Sequence, residues 1–330
     1  MAITKTQAGY LCTDAIKKGV ISTIVNVSPF ARYMPFITID GNSYKHNLET
    51  TLGGANWYVP NETITEQTPV IAQRSVELAE LINDADVDAF LQQVRSKDQD
   101  LKATTIELAS AAIANEFEKQ CIYGQQTTSY STKQMKGLIQ LIAEVEGATV
   151  TDWDASENSQ IYSKTASQSD TLTLDMLDEG CDLIKPGKPD ALITSRRMRR
   201  KITALARAAG NNLVHDKDEL GYPVEMWGDS KLLVSDHLKD QHDDPDASQD
   251  WAPRSYAFAT ASTAGDDTSM IFYVKWGEQG VCGVENGGIQ IEDIGKLETK
   301  DATRTRIKWY VGMANFAKYS IGATFGHTDD

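Results

Sequence analysis

The chain has 330 residues, enough for one large or two ordinary domains with a sizeable core. Its 47 acidic and 32 basic residues give a formal net charge of −15, which argues against a protein whose main task is to bind phosphate backbones. No run of about 18 apolar residues could cross a membrane, and charges interrupt the N-terminal segment where a signal peptide needs an apolar core. The four cysteines are far apart and lack metal-ligand spacing, which predicts reduced, structural thiols in a cytosolic protein.

The N-terminal part of the chain is predicted to form an arm and a hairpin. Residues 1–35 are typical of an arm with one amphipathic segment over residues 14–25. Over residues 36–78, β-forming and polar residues alternate around a Gly-Gly pair without the apolar density of a central sheet. This pattern predicts a long two-stranded hairpin, which is marginally stable alone and needs a surface to lie on.

A short helix and a long helix are predicted to follow the hairpin. The short helix is expected to begin near Asp84 or Asp86, with an apolar face formed by Val87, Phe90, Leu91 and Val94. The long helix is expected over residues 97–123, where it would span roughly 40 Å at 1.5 Å per residue. Its core-facing side recurs at helical spacing, at Ile106, Ala109, Ile113, Phe117 and Cys121.

The second half of the chain has an α/β pattern. Residues 152–170 are rich in Ser, Asp and Thr and are typical of a linker or exposed loop. The elements predicted after it are a helix at 173–184, a turn at 185–190, and strands at 191–194, 224–234, 270–276 and 288–294. The C-terminal residues predict a long strand or a strand pair, because Ile307, Trp309, Val311 and Met313 alternate onto one face.

The segment TSRRMRRKITALARAAG, residues 194–210, contains five positive charges within six residues. Thr194 or Ser195 can cap a helix here, and Gly210 can end it. The helix would have an apolar face at Met198, Ile202, Leu205 and Ala209 and a second stripe at Arg196, Arg200, Thr203 and Arg207. The second stripe could lie on phosphates, pair with carboxylates or be solvated. Carboxylates or solvent are favoured, because base readout would also need Asn, Gln or aromatic side chains in the same phase.

The sequence contains no recognised catalytic or phosphate-binding motif. It lacks G-x-S-x-G, H-E-x-x-H, the Walker A loop and G-x-G-x-x-G. The glycines of GEQGVCGVENGG, residues 277–288, are better explained by turns than by a phosphate cradle, since no G-K-[ST] follows them. We therefore expect no enzyme, no catalytic residue and no cofactor.

An acidic loop at residues 236–250 offers the strongest candidate metal site. Its oxygen ligands for Ca²⁺ would be Asp236, Asp240, Asp243, Asp244, Asp246 and Asp250. The loop lacks the Gly and the distal Glu of a calcium loop, so a solvated loop without metal is favoured. His215, His237 and His242 lie near carboxylates in the sequence but have no nucleophile at defined spacing, and surface histidines are expected.

The order of these elements, and several phrases, resemble the major capsid proteins of tailed double-stranded DNA bacteriophages. The phrases are DADVDAF (84–90), KPDALITSRRMRRKITALARAAG (188–210), DELGYPVEMWGDSKLLVSD (218–236) and YVKWGEQGVCGVENGGIQIEDIGKLETKDATRTRIKWYVGMANF (273–316). The resemblance implies an α+β fold with five parts: an N-terminal arm (1–35), an extended β-hairpin loop (36–75), a peripheral domain with a long spine helix (76–167), an axial α/β domain (168–295) and return strands of the peripheral domain (296–330).

The function implied by the resemblance is self-assembly. Copies would form the pentamers and hexamers of an icosahedral virion shell, which would be assembled in the host bacterial cytoplasm. The shell would enclose double-stranded DNA without sequence-specific binding, and no membrane would be involved. Many members carry an N-terminal scaffolding segment that a protease removes, but only about 35 residues precede the extended loop here, so a separate scaffolding protein is expected. A portal and a decoration protein are further partners that the resemblance implies. Some members cross-link through Lys and Asn; Lys45 lies in the loop, but the sequence identifies no partner for it.

Three alternatives remain open. The same fold builds encapsulin compartments, which enclose enzymes rather than DNA. A DNA-binding protein could act through the basic helix at 194–210, and an enzyme could use the Asp/His loop. The packaged contents would distinguish a virion shell from a compartment. Salt-dependent DNA binding would support the DNA-binding hypothesis, and metal-dependent turnover would support an enzyme.

Overall fold

The computed structural model describes residues 15–51, 53–66, 68, 70–95, 101–126, 133–146, 160–162, 170–210, 213–217, 221, 223–238, 240 and 269–328. The helices are α1 Ala15–Val27, α2 Pro29–Tyr33, α3 Ala89–Arg95, α4 Leu101–Tyr123, α5 Leu138–Glu146, α6 Leu174–Asp182 and α7 Arg196–Ala208. The first strands are β1 Phe36–Thr38, β2 Ser43–Thr51, β3 Val70–Glu77, β4 Ala79–Asp88, β5 Ile161–Tyr162, β6 Asp170–Thr171 and β7 Ala191–Thr194. The later strands are β8 Val214–Lys217, β9 Pro223–Trp227, β10 Ser230–Val234, β11 Ser269–Val274, β12 Val281–Lys296, β13 Ala302–Asn315 and β14 Ile321–Thr328.

The long helix α4 packs on a four-stranded sheet with the order β1-β12-β13-β4. The predicted apolar side of α4 is confirmed, because all five of its side chains are buried. Phe117 on this side lies 4.5 Å from Trp309 of β13, measured between ring centroids. The predicted inward alternation along β13 is also confirmed by the burial of Ile307, Trp309, Val311 and Met313. In the arm, α1 covers the same core with Val20 and Ile24.

The predicted start of the short helix is wrong. Asp84 and Asp86 lie in strand β4, which pairs along its length with β13. Their carboxylates bind Arg306 and Arg304 across the ladder, with Nε–O distances of 2.6 Å each. The helix begins at Ala89, after Asp88 Oδ1 accepts hydrogen bonds from the backbone N–H groups of the first turn. Pairing with β13 therefore extends the strand over residues that local propensity would place in a helix.

The expected apolar face of this short helix is also not formed. Phe90 and Leu91 are exposed on α3, at 67% and 49% respectively, while Val87 is buried in β4. Most of the predicted linker at 152–170 lies outside the described residues.

The second sheet has eight strands with the order β5-β14-β11-β7-β10-β9-β8, and β6 also pairs with β14. Helices α6 and α7 cover one of its faces through a shared apolar cluster that includes Met176, Met198 and Tyr273. The other face joins the core around α4 through residues such as Phe272 and Phe325. Both faces are covered, and β7, β11 and β14 are accordingly buried at every position.

Strand pairing joins parts of the chain on both sides of the expected boundary near residue 295. Strand β12, at 281–296, pairs with β13 and belongs to the four-stranded sheet. Strand β14, at 321–328, pairs with β11 in the eight-stranded sheet. The C-terminal segment therefore forms two consecutive strands, β13 and β14, which belong to different sheets.

Strands β2 and β3 form a separate two-stranded sheet, which confirms the predicted hairpin. Their antiparallel register runs from Ser43 opposite Glu77 to Thr51 opposite Val70. Residues 36–38 are not part of it, because β1 pairs in parallel with β12. Within the described part of the chain, every helix is too short or too polar to cross a membrane.

Candidate functional site

The far end of the β2–β3 hairpin, residues 53–66, is named here the hairpin tip. Its apolar side chains project into solvent: Trp57 is fully exposed, Val59 is 68% exposed and Ile64 is 76% exposed. The tip is ordered by local bonds, in which the Val59 N–H donates to Glu62 Oε2 at 2.9 Å and Tyr58 Oη bonds with Thr65. An exposed group of large apolar side chains held in one shape is typical of a protein contact surface.

The base of the hairpin is fastened to the body of the protein. Arg74 Nη2 donates to the Glu144 carbonyl at 2.6 Å, and Lys136 Nζ donates to the Ser75 carbonyl at 3.2 Å. Lys136 also pairs with the Glu144 carboxylate at 2.8 Å. Lys45, the residue considered for cross-linking, is exposed on β2 opposite Ser75. The hairpin is thus anchored at one end and free to meet another molecule at the other.

His46 completes the anchor of the hairpin, and sequence reasoning did not identify it. Its Nε2 lies 2.9 Å from the Asn315 carbonyl, and its ring packs edge-on against Phe316 at 4.8 Å between centroids. A carbonyl only accepts, so Nε2 must carry the proton, and Nδ1 is buried without a hydrogen-bond partner among the described residues. Burial first, and then the nearby cations Lys136 and Arg74, lower the pKa of His46, despite the opposing hydrogen bond to Asn315.

The basic segment forms the helix α7 and begins as predicted. Ser195 Oγ accepts from the Met198 N–H as the N-cap, and Gly210 has a positive φ of 79° just after the helix. Met198 and Ile202 are buried as expected, but Ala209 is exposed. The predicted apolar face is wrong at that position because the helix ends at Ala208, so Ala206 takes the buried place.

Four of the basic side chains of α7 divide into two groups. Arg196 binds Asp236 through two hydrogen bonds, and Arg199 Nη1 lies 2.7 Å from Glu225 Oε1. Asp236, at the start of the acidic loop, therefore supplies a carboxylate to this helix. Arg200 and Arg207 are exposed and make no ion pair with any described residue.

A cavity of about 850 Å³ lies between this helix, the end of α1 and the long helix α4. Its lining consists of Val27, Pro29, Asn115, Glu118, Arg196, Arg199, Arg200, Val234, Asp236 and His237. Glu118 is only 3% exposed, and it accepts hydrogen bonds from Ser235 and Ser28. Burial outweighs these bonds and raises the pKa of Glu118 to about 7. In the sequence, Glu118 is a polar residue within a largely apolar helix. The one signal of its burial is that it lies four residues after Ala114 and so shares a side of the helix with that small apolar residue.

The predicted Asp/His loop does not assemble a site among the described residues. Asp236 is bound by Arg196, and Asp240 Oδ1 accepts from Ser269 Oγ at 2.5 Å. His215 is exposed on β8, where it faces Glu225 in register. Asp243, Asp244, Asp246, Asp250 and His242 lie outside the described residues. No group of three or more His, Cys, Asp or Glu in the described ranges could hold a metal ion.

The remaining sequence predictions concern glycines and cysteines. The predicted turn is found at Gly277, before β12, whereas Gly287 and Gly288 have positive φ angles at a β-bulge within β12. Cys121, Cys181 and Cys282 are free thiols, and burial raises the pKa of each of them. Cys12 lies outside the described residues.

The middle of the chain matches a known protein family. Residues 81–231 match the family model described as the SU10 major capsid protein. No curated protein matches the sequence.

Solved structures show the same fold over almost the whole chain. The SrpI encapsulin of Synechococcus elongatus, in its holo complex, has a TM-score of 0.61 at 13% identity, covering 100% of this chain and 97% of the encapsulin. The capsid of a native GTA particle has a TM-score of 0.59 at 11% identity, covering 92% of this chain and 91% of the other. Mycobacterium phage Adephagia has a TM-score of 0.55 at 11% identity, covering 98% of each chain. The predicted α+β fold of tailed-phage major capsid proteins is therefore confirmed, and so is the resemblance to that class of protein.

Proposed function

Since the chain has the fold and the central sequence of a phage major capsid protein, we propose that its copies assemble into an icosahedral shell around double-stranded DNA. Pentamers and hexamers would be the building units, and each subunit would consist of the arm, extended loop, peripheral domain and axial domain expected above. The role is structural rather than catalytic. The protein would reside in the virion capsid after assembly in the bacterial cytoplasm, together with scaffolding, portal and decoration proteins.

The hairpin is the single observation that best supports assembly. Its tip exposes Trp57, Val59 and Ile64, while its base is held by Arg74, Lys136 and His46. Burying three such side chains contributes about 1.5–3 kcal/mol each, provided that a second molecule covers them. A contact repeated around a shell stabilises the assembly even when each copy of it is weak.

Replacing the hairpin tip, residues 53–66, with a short Gly-Ser linker should abolish assembly and leave the subunit folded. The tip contributes no side chain to the described core, so circular dichroism and the unfolding midpoint should stay close to those of the unaltered chain. Negative-stain microscopy and light scattering would then report subunits or small rings in place of shells.

A double variant, Trp57→Ala with Ile64→Ala, provides the matched control, since it removes the apolar contact and keeps the length of the hairpin. It should also assemble poorly. Global unfolding of the linker variant would place the tip in the core and contradict the architecture. An unaltered chain that stays a compact monomer at every concentration, with and without scaffold, would contradict assembly itself.

An encapsulin-like compartment is the second candidate, because the SrpI encapsulin aligns with 100% of this chain. Purified particles decide between the two functions. Nuclease-protected DNA inside the particle supports the virion shell, whereas a co-purifying cargo enzyme without DNA supports the compartment.

A further inference from the structure

Two arginines on the exposed side of α7 are left for another molecule. Arg196 and Arg199 are paired with carboxylates of the same subunit, whereas Arg200 and Arg207 are exposed and make no ion pair with described residues. They are seven residues apart, which puts them on one side of the helix about 10 Å apart along its axis. Ala204 and Ala208, also exposed on this side, allow a second helix to approach closely.

Helix α6 carries a complementary face. Asp175, Glu179 and Asp182 are exposed, and none of them makes an ion pair with a described residue. Asp178, in contrast, accepts a hydrogen bond from Trp227 Nε1 at 3.3 Å. Asp175 and Asp182 are also seven residues apart, so their spacing along the helix equals that of Arg200 and Arg207.

The two faces do not pair with each other within the subunit. Helices α6 and α7 lie side by side on the same face of the eight-stranded sheet, over one apolar cluster, and both charged faces are exposed at the same time. Carboxylates from a second copy are then the fitting partners. In a chain with a net charge of −15, a cationic face is an uncommon feature, and copies repel each other elsewhere on their surfaces.

We propose that the Arg200/Arg207 face of α7 in one copy binds the Asp175/Asp182 face of α6 in the next copy of the same ring. The inference rests on the proposed function, and it adds the contact that would join neighbours. Because the two faces are different surfaces, the contact is head-to-tail, and repeating it by rotation closes a ring. Opposite charges at matched spacing set the register of the contact and make ring formation sensitive to salt.

Charge reversal tests the pairing. The basic-face variant is Arg200→Glu with Arg207→Glu, and the acidic-face variant is Asp175→Arg with Asp182→Arg. Each should lower the yield of rings at least tenfold, because like charges then face each other across the contact. The combined variant, with all four substitutions in one chain, should restore rings, since opposite charges again meet.

A mixture of the two single-face variants gives a further result. In the mixture, favourable contacts form only between unlike copies, so they must alternate around the ring. The two variants can alternate around a ring of six copies. They cannot alternate around a ring of five, because an odd number leaves two like copies side by side. The equimolar mixture should therefore yield hexamers and no pentamers, as counted by native mass spectrometry.

The controls are contained in the design. The two variants shift the net charge in opposite directions, so a general charge effect would impair only one of them, and circular dichroism checks that each is folded. A basic-face variant that forms normal rings would overturn the inference while leaving the proposed function intact. The inference would also be overturned if the single-face variants fold but form no rings and the combined variant forms none either. An unaltered chain that forms no oligomer would instead overturn the proposed function.

Discussion

Glu118 is the residue whose environment departs most from what its type would suggest. A carboxyl group that is 3% exposed, with two hydroxyl donors and no cation bonded to it among the described residues, is held more easily in its neutral form. It connects α4 to Ser28, which precedes α2, and to Ser235, which follows β10. One side chain thus ties together three elements that are distant in sequence.

The free energy of unfolding should therefore depend on pH through Glu118. The pKa of Glu118 is about 7 in the folded protein, above the ordinary value of 4.5. The folded state keeps a proton that the unfolded chain releases, so the contribution of Glu118 to stability is fully present below pH 4.5 and is lost as the pH rises through 7. A shift of this size corresponds to about 3 kcal/mol.

In the variant Glu118→Gln this fall should disappear, because an amide does not ionise. Chemical denaturation of the free subunit between pH 4.5 and 8 would measure it. Glu107→Gln, an exposed carboxylate on the same helix, is the control and should follow the unaltered chain. Equal pH dependence in the Glu118 variant and the unaltered chain would show that this carboxyl is ionised throughout.

The hairpin lies outside the two larger sheets, and side chains at its base fasten it to the body of the protein. Its own sheet has two strands, so the side chains at its base decide how firmly it is held. Among the side chains of this anchor, His46 is the imidazole, which can gain a proton in mild acid. The cations Lys136 and Arg74 disfavour that second proton, and the Glu144 carboxylate partly offsets them.

The attachment of the hairpin should weaken in mild acid. The pKa of His46 is lowered in the folded protein, so its contribution to stability is present above the ordinary pKa of 6.5 and is lost as the pH falls below that value. Backbone amides of residues 43–51 should then exchange hydrogen several-fold faster at about pH 5 than at about pH 7.5, after correction for intrinsic rates.

The variant His46→Phe keeps a ring against Phe316 but cannot titrate, so its corrected exchange rates should be the same at both pH values. His215→Phe, at an exposed position on β8, controls for losing a histidine and should retain the acid response. If hydrogen exchange in His46→Phe is still faster in acid, the acid response must come from a group other than His46.

At the scale of the whole molecule, the charge balance sets the relation to nucleic acid. A net charge of −15 opposes the counterion release that drives non-specific DNA binding, and two arginines of α7 are already neutralised within the subunit. A shell around DNA needs no tight binding site for duplex in each subunit. The basic helix is therefore better suited to contacts between copies.

The free subunit should bind duplex DNA weakly, and the basic-face variant should bind it equally weakly. Fluorescence anisotropy with a labelled duplex at about 50 and 200 mM salt would measure both proteins. A tight complex that disappears on charge reversal and loses affinity steeply with salt would instead identify α7 as a DNA-binding helix.

The amino-acid sequence by itself determined the parts of this protein that local chemistry controls. The spacing of Ile113 and Phe117 is enough to orient α4, because helix geometry puts residues four apart on one side. Ser195 caps the start of α7, and Gly210 takes a positive φ just after its end. Both residues lie next to the helix in the chain, so the sequence alone is enough to locate its ends. Alternation around Trp309 predicted β13 because side chains of a strand point to opposite faces.

Only the tertiary structure decided what depends on neighbours distant in the chain. Asp84 and Asp86 belong to a strand because Arg306 and Arg304 lie opposite them, more than 200 residues later. Glu118 meets Ser235 and His46 meets Asn315 through the same long-range packing. Side-chain spacing within a segment carries no information about which segment will pack against it, so the surroundings of Glu118 and His46 and the two unpaired arginines of α7 became visible only in the folded chain.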